Sequence, residues 1–324
     1  DNIALIGAAR SNKRAGNHLI TSSIEHPAII NTMRFLEEEE GFRVTYLPVD
    51  QYGRIRLDAL KEALCEDTIL VSIMYVNNEV GSVQPIQEAA SIVKAYNKDI
   101  LFHVDAVQGF GKYKIYPKKL KVDMCSISGH KIHGPKGVGV LYARNGIRLV
   151  NVIEGGAQER GKRAGTCNVP GDAALAAALE EGVANMEANA KKTAALRDRL
   201  IQGLSDIPHS QLNGDPVKRL PGNVNYSFEG VEGESLLLAL DEEGIRCSSG
   251  SACTSESLDP SHVLMGMGVP VEAAHGSLRF SLNEENTEEE VDYIIEKVHE
   301  IVALYRKMSP FWEELEKGER EHVI

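Results

Sequence analysis

"TILVSIMYV", Thr68–Val76, carries apolar side chains at successive positions rather than at every second one. A strand with one wet face alternates. A strand that is apolar on both faces belongs inside a parallel sheet with helices packed above and below it. The flanking sequence repeats the theme. Upstream, "HLITSS" (His18–Ser23) reads as a strand, and a helix is expected from about Pro27 through the acidic run Glu37–Glu40. "FRVTYLPV" (Phe42–Val49) is a second strand, and "LDALKEAL" (Leu57–Leu64) has helical spacing. Downstream, "PIQEAASIVKAYN" (Pro85–Asn97) opens on proline, as first helical turns often do. "ILFHV" (Ile100–Val104), "VDMCSIS" (Val122–Ser128) and "GVGVLYA" (Gly137–Ala143) read as further strands. This alternation predicts a layered α/β domain around a mostly parallel sheet.

The character changes near Gly171. "DAALAAALEEGVANMEANAKKTAALRDRLIQGL" (Asp172–Leu204) is alanine-rich, helical and long enough to run between two domains. "NVNYSF" (Asn223–Phe228), "SLLLALDEEGI" (Ser235–Ile245), "GSLRFSL" (Gly276–Leu282) and an acidic helix from near Thr287 follow, a mixture that predicts a smaller α+β domain. The expected division is a large domain over 1–188 and a small C-terminal domain over 189–324.

Composition narrows the function. The formal net charge of −12 on 324 residues argues against broad phosphate-backbone binding, so no nucleic-acid partner is expected. Basic stretches such as "KYKIYPKKLK" (Lys112–Lys121) read as solvated loop. No apolar run approaches the roughly 20 residues of a membrane helix, and no membrane association is expected. Five cysteines, odd in number and irregularly spaced, fit reduced thiols in a cytoplasm better than a disulfide framework. One of them stands apart. Cys253, in "SSGSACTS" (Ser248–Ser255), sits among small and polar residues in a segment that reads as an exposed loop, where a free thiol is a hazard unless it has a use.

In open α/β sheets, ligands bind beyond the carboxyl ends of the strands. Asn77, Asp105 and "SGHK" (Ser128–Lys131) fall at such ends. A carboxylate at the end of an apolar strand is costly without a cationic partner, although helix capping is an equally good reading of an isolated aspartate. Lys131 follows a buried strand with histidines on both sides. Partial desolvation there would lower its pKa and suit it to condense with an aldehyde, whereas a lone lysine in a hairpin is usually just a surface residue. The two together, aspartate at one strand end and lysine at a later one, form the pair that pyridoxal phosphate requires.

Seven stretches carry a more specific signal: "SSIEHPAI", "MYVNNEVGSVQPI", "HVDAVQ", "SISGHKIHGPKGVGVLY", "EGGAQERGKRAGTCNVP", "SSGSACTS" and "GSLRFSL". With these in order along essentially the whole chain, the sequence resembles the NifS/IscS-like cysteine desulfurases of the class V aminotransferase family. The resemblance implies a pyridoxal-phosphate transferase of fold type I, with a seven-stranded, mostly parallel sheet in the large domain. It implies conversion of L-cysteine to L-alanine, with the sulfur held as a persulfide on Cys253 and passed on for iron–sulfur cluster assembly. Lys131 would bond covalently to the cofactor, Asp105 would face its ring nitrogen, and His26 would stack on the ring and help move protons. Gln108 would hydrogen-bond the ring hydroxyl oxygen, and Ser128 and His130 would hold the phosphate. Thr166 would reach the phosphate in a neighbouring subunit, which implies a homodimer with shared active sites. Asn77 and Arg279 would fix the substrate carboxylate. The long stretch Thr254–Ser277 resembles the extended catalytic loop of the iron–sulfur group, which implies a scaffold protein of the IscU/NifU type as sulfur acceptor. A selenocysteine lyase or cysteine sulfinate desulfinase is the nearest alternative, and a docking platform that keeps the fold without catalysis is another; the latter needs neither Lys131 nor Cys253.

Other residues are given quieter readings. Cys65 and Cys125 read as core, Cys247 as a strand residue leading into the Cys253 loop, and Cys167, His133 and His275 are assigned no role. The tail "SPFWEELEKGEREHVI" (Ser309–Ile324) reads as a solvated terminal helix. The opening "DNIALIGAAR" reads as the body of a helix, whereas the resemblance places a phosphate-binding threonine and turn before it, so a natural protein several dozen residues longer is expected.

Overall fold

The computed structural model describes residues 1–249 and 260–324. The chain forms two compact units. The first comprises Asp1–Val49, Arg54–Asn77 and Gln84–Met186; the second comprises Asp50–Gly53, Asn78–Val83 and Glu187–Ile324.

The first unit begins with α1 (Asn2–Asn12) and then alternates β1 (His18–Ser22), α2 (Pro27–Glu38), β2 (Arg43–Leu47), α3 (Leu57–Ala63), β3 (Thr68–Ser72), α4 (Ile86–Tyr96) and β4 (Leu101–Asp105). A short helix, α5 (Pro117–Leu120), leads to β5 (Met124–Ser128) and β6 (Gly139–Ala143). The sheet has six strands in the order β2-β1-β3-β4-β5-β6, all parallel except β6, which runs antiparallel to β5. This is one strand fewer than the resemblance implied. The large-domain sequence supplies six apolar strand runs, and these are the six strands.

Side chains on successive strand residues point to opposite faces, so each inner strand feeds two cores. Leu19, Leu70, Leu101 and Met124 pack with Ala4, Leu5 and Ala8 of α1 and with Ile29, Met33 and Leu36 of α2. Their neighbours Ile20, Val71, Phe102 and Cys125 pack on the other face with Leu60 of α3 and Ile86, Ala89 and Val93 of α4. Every residue of β1, β3 and β4 is buried, as the unbroken apolar run predicted. Regular pairing of β3 stops at Ser72, short of the full run. The next residues still follow β4: the amides of Ile73 and Tyr75 donate to the carbonyls of His103 and Asp105 at 3.1 and 2.8 Å. Because β1 is flanked by β2 on one side and β3 on the other, strand order reverses there, and the carboxyl ends of β1, β3, β4 and β5 line one edge of the sheet.

The helix α6 (Val169–Leu204) runs as far as Met186 in the first unit and continues in the second. The second unit has an antiparallel sheet in the order β7-β8-β10-β9, formed by β7 (Ser210–Leu212), β8 (Asn223–Phe228), β9 (Ser248–Ser249) and β10 (Ser277–Ser281). Its helices are α7 (Gly233–Glu242), α8 (His262–Gly266), α9 (Val271–His275), α10 (Glu288–Met308) and α11 (Pro310–Glu316). Val224, Tyr226 and Phe228 on one face of β8 pack with Leu196 and Leu200 of α6, Leu236 and Leu240 of α7, and Val291 and Val298 of α10. The opposite face is polar yet also buried, so its groups must find partners. Asn213 donates to Asn225 and Ser227 at 2.8 and 2.9 Å, and Asn223 and Asn225 donate to the Glu79 carbonyl at 3.0 and 3.1 Å. Buried Arg219 donates to the carbonyl of Val80 at 2.9 Å; burial lowers its pKa to about 10.

Helix α10 begins where expected. Thr287 caps it in a capping box with Glu290, the Glu290 amide donating to the threonine hydroxyl at 3.2 Å. The terminal segment differs from its reading as solvated. Leu315 is buried, and Trp312 lies so close over Gly230 that a β-carbon there would come within 2.4 Å of its ring. Among the described residues, no helix is long and apolar enough to cross a membrane.

Candidate active site

The first unit gathers most of the residues singled out by sequence at the carboxyl edge of its sheet. Asp105 ends β4, and Ser128 ends β5, the strand beside it. Asp105 is 6% exposed. Its Oδ1 accepts the Val107 amide at 2.9 Å, and burial pushes its carboxyl above the usual range. A carboxylate so desolvated is stabilised as an anion by a cation placed against it. Gln108 is half-buried in the turn that follows, where the Gly109 amide closes onto the Ala106 carbonyl at 3.0 Å.

Beyond β5 the chain forms a 3₁₀ turn, Gly129–Ile132, that carries His130 and Lys131. The Ser128 hydroxyl lies 2.8 Å from Nδ1 of His130. Slight burial, followed by the charges of Lys131 and Lys136, holds the His130 ring below its ordinary pKa. The ammonium groups of Lys131 and Lys136 beside this hydroxyl and imidazole make the turn electropositive, which suits a phosphate. Lys131 itself is exposed, not partly desolvated as expected; it sits on the 3₁₀ turn beyond the half-buried end of the strand. Gly139 permits the return strand to pass closely, since a β-carbon there would sit 2.7 Å from the Ile127 carbonyl.

His26 caps α2 from the end of β1. Its Nδ1 accepts the Ala28 amide at 3.1 Å, which leaves the ring proton of the neutral form on Nε2. Asn77 is fully buried past β3, and its amide nitrogen donates to the Ile24 carbonyl at 2.9 Å. Asn77 therefore clamps the loop that carries His26. Thr166 is exposed in the segment before α6.

In the second unit, Arg279 lies on β10 opposite Asn225 of β8 and Ser248 of β9. Its Nη1 donates to the Asn78 carbonyl at 3.0 Å and its Nη2 to the Ser248 hydroxyl at 3.3 Å. Nε is buried and has no hydrogen-bond partner among the described residues. Cys253 lies outside the described residues.

Several polar groups escaped the sequence reading. Glu25 is fully buried beside His26, and burial, with Asp105 nearby, pushes its pKa up to about 8. Its one available signal was an acid directly following the buried run after β1. His103 is fully buried within β4, with Nδ1 and Nε2 each 2.8 Å from a serine hydroxyl, Ser72 on β3 and Ser126 on β5. Burial lowers its pKa to about 3. Glu79 is buried against the Ser261 hydroxyl, which also caps α8. Of the cysteines, Cys125 is core as expected, and burial raises its pKa to about 12. Cys65 is only half-buried, its sulfur 3.2 Å from the Arg43 guanidinium, because it lies in the turn before β3 and not in an apolar element. Cys247 packs at the margin of the second unit's core.

Residues 1–294 match the sequence pattern of the aminotransferase class-V family. The chain belongs to that family. Among curated class-V relatives, the cysteine desulfurase IscS of Clostridium botulinum is 51% identical over 324 residues, covering 99% of this chain and 81% of the relative. The cysteine desulfurase IscS of Methanosarcina thermophila is 53% identical over 310 residues, 96% of this chain and 76% of its own. A solved NifS-like protein superposes with a TM-score of 0.87 at 42% identity, covering 94% of this chain and 79% of the other. The class-V fold is that of pyridoxal-phosphate enzymes of fold type I, and this chain is a pyridoxal-phosphate enzyme. The residues present fit the group: a desolvated carboxylate for a ring cation, an amine for the aldehyde, and an electropositive serine–histidine pair for the phosphate.

Proposed function

We propose that Lys131, Asp105, His26, Gln108, Ser128 and His130 hold pyridoxal phosphate in this cysteine desulfurase, which converts L-cysteine to L-alanine and donates sulfur for iron–sulfur cluster assembly. One observation carries the assignment: a buried acid ends β4, and the Ser128–His130–Lys131 turn follows directly from its neighbour β5. Bound there, pyridoxal phosphate supplies the electron sink that makes the substrate's bonds labile.

The protein's own groups do the rest. Asp105 keeps a ring proton in place by its charge. Lys131 takes and returns the substrate proton, and its exposure lets it swing. His26, with Nδ1 committed to the Ala28 amide, offers Nε2 for proton transfer. Arg279 grips the substrate carboxylate through its spare Nε–H, with Asn77 as its proposed companion. Cys253, as thiolate, attacks the sulfur of L-cysteine. A sulfur–sulfur bond forms, the carbon–sulfur bond breaks, and its electron pair stays with the carbon that a proton then converts to the alanine methyl. The enzyme keeps a persulfide, which passes to a separate acceptor. A scaffold protein of the IscU/NifU type is proposed as that acceptor, a homodimer with Thr166 reaching the partner's phosphate as the assembly, and the cytoplasm as the compartment.

Alanine release from L-cysteine, measured with added pyridoxal phosphate and a thiol reductant, tests the reading. Wild type should release alanine, and Cys253→Ala and Lys131→Ala almost none. Equal release from wild type and Cys253→Ala would refute the persulfide route.

A further inference from the structure

In the second unit, His209, Glu229 and His322 bring three potential ligand atoms within 4.8 Å of one another. The three come from separate parts of the second unit: the turn before β7, the residue after β8, and the C-terminal segment beyond α11. The Glu229 side chain is fully buried, while those of His209 and His322 are 36% and 32% exposed, so the group has a dry floor and an open mouth. A buried carboxylate with two imidazoles at its rim is a donor set that divalent zinc-class ions take.

We propose that His209, Glu229 and His322 form a binding site for a divalent transition-metal ion, which fastens the C-terminal segment to the second unit. Oε2 of Glu229 lies 2.7 Å from Nδ1 of His322 and 3.7 Å from Nδ1 of His209. Donors on one tetrahedral ion with bonds of about 2.0–2.1 Å stand roughly 3.3 Å apart, a value between the two. The ion takes the place of the proton that His322 and Glu229 share. The imidazole rings are stacked, with centroids 3.5 Å apart and planes 14° from parallel, and Nδ1 of His209 also donates to the Ile324 carbonyl at 2.9 Å, so the ion displaces that proton too and both rings turn to bring their lone pairs together.

The surroundings are built to hold these ligands. Arg306 spends its guanidinium on backbone, donating to the carbonyls of Glu229, Pro208 and His209 at 2.9, 2.7 and 2.9 Å, which fixes the main chain under two of the three ligands. The Val323 amide donates to Oε1 of Glu229 at 2.7 Å, leaving Oε2 to the histidines. His209 adopts a left-handed backbone, φ 50°, uncommon for a residue with a side chain. Such local strain is retained where the surrounding structure over-determines it.

Trp312, the single tryptophan of the chain, reports on the site directly, because its ring lies edge-on to both imidazoles at 5.7 Å. Nickel(II), a paramagnetic quencher, is titrated into the chelator-treated, pyridoxal-phosphate-loaded chain while tryptophan emission is read. Saturable quenching at one equivalent is expected, reversed by zinc(II), with affinity lowered at least about tenfold in His322→Ala and again in His209→Ala. His322 lies on the partly exposed terminal segment, so its variant keeps the fold. Quenching that fails to saturate, or that is unchanged in His322→Ala, would overturn the proposal.

Discussion

Glu25 and Met74 join the carboxyl ends of β1 and β3: the Met74 amide donates to Oε1 of Glu25 at 3.0 Å, and the Ser22 hydroxyl donates to the same oxygen at 2.6 Å. This carboxyl is fully buried, and burial raises its pKa from 4.5 to about 8. The unfolded chain releases the proton near the ordinary value, while the folded chain keeps it. Between those two values folding takes up a proton, so stability falls as pH rises through the window, by up to about 1.4 kcal/mol per pH unit from this group. Glu25→Gln preserves the acceptor oxygen and removes the titration. Urea midpoints measured across the window should show a shallower decline in the variant, with the variant the more stable at the alkaline end. Parallel profiles for the two proteins would show that Glu25 is ionised in the fold.

The opposite sign applies to His103. Its ring bridges hydroxyls on the two flanking strands, and burial lowers its pKa from 6.5 to about 3. Below the ordinary value the unfolded chain takes up a proton that the folded chain refuses, so the stability His103 contributes is complete above it and lost as pH falls towards the lower one. His103→Ala leaves the Ser72 and Ser126 hydroxyls without their ring partner in the middle of the sheet and opens a cavity. A loss of about 2–4 kcal/mol in denaturant unfolding at neutral pH is expected. A loss below about 0.5 kcal/mol would mean that the serines re-pair without cost.

The parallel sheet was legible because burial on both faces leaves a direct trace in Ile69–Val71, where successive positions are apolar. Strand ends were harder to read. Ile73–Val76 is as apolar as the strand before it, and only the hydrogen bonding departs from regular pairing. Lys131 was singled out by its place after β5, but its exposure was not foreseen, since exposure depends on a 3₁₀ turn that composition does not announce. Glu25 and His103 went unread because a buried polar side chain looks in sequence like a surface one; what distinguishes it is a partner far along the chain, Met74 or Ser126. The terminal segment misled for the reverse reason. Its charge suggested a solvated helix, and most of it is exposed, but half-buried Trp312 and buried Leu315 anchor it.

The Asp105 carboxylate is desolvated and raised in pKa, and its proposed role is the charge it would place against the cofactor ring. Asp105→Asn keeps shape and the acceptor for the Val107 amide while removing that charge. Alanine formation is expected to fall at least about 100-fold, the scale on which removal of one oriented electrostatic partner acts. The visible absorption of cofactor attached to Lys131 should persist, because attachment needs the amine and not the acid. Loss of both together would show Asp105 acting in cofactor retention instead.

Arg279 separates binding from structure most sharply. Two of its donors hold the Asn78 carbonyl and the Ser248 hydroxyl, and the buried Nε–H, without a partner among the described residues, is the one proposed for the substrate carboxylate. A lysine at this position supplies one point charge on a flexible stem and lacks the planar fork that matches a carboxylate. Arg279→Lys should therefore raise KM for L-cysteine at least about tenfold and lower kcat/KM by more than it lowers kcat, the signature of lost substrate binding. If the side chain served only to tie β10 to its neighbours, the variant would unfold at lower urea with KM unchanged. Steady-state kinetics and denaturation on the same preparation decide between the two.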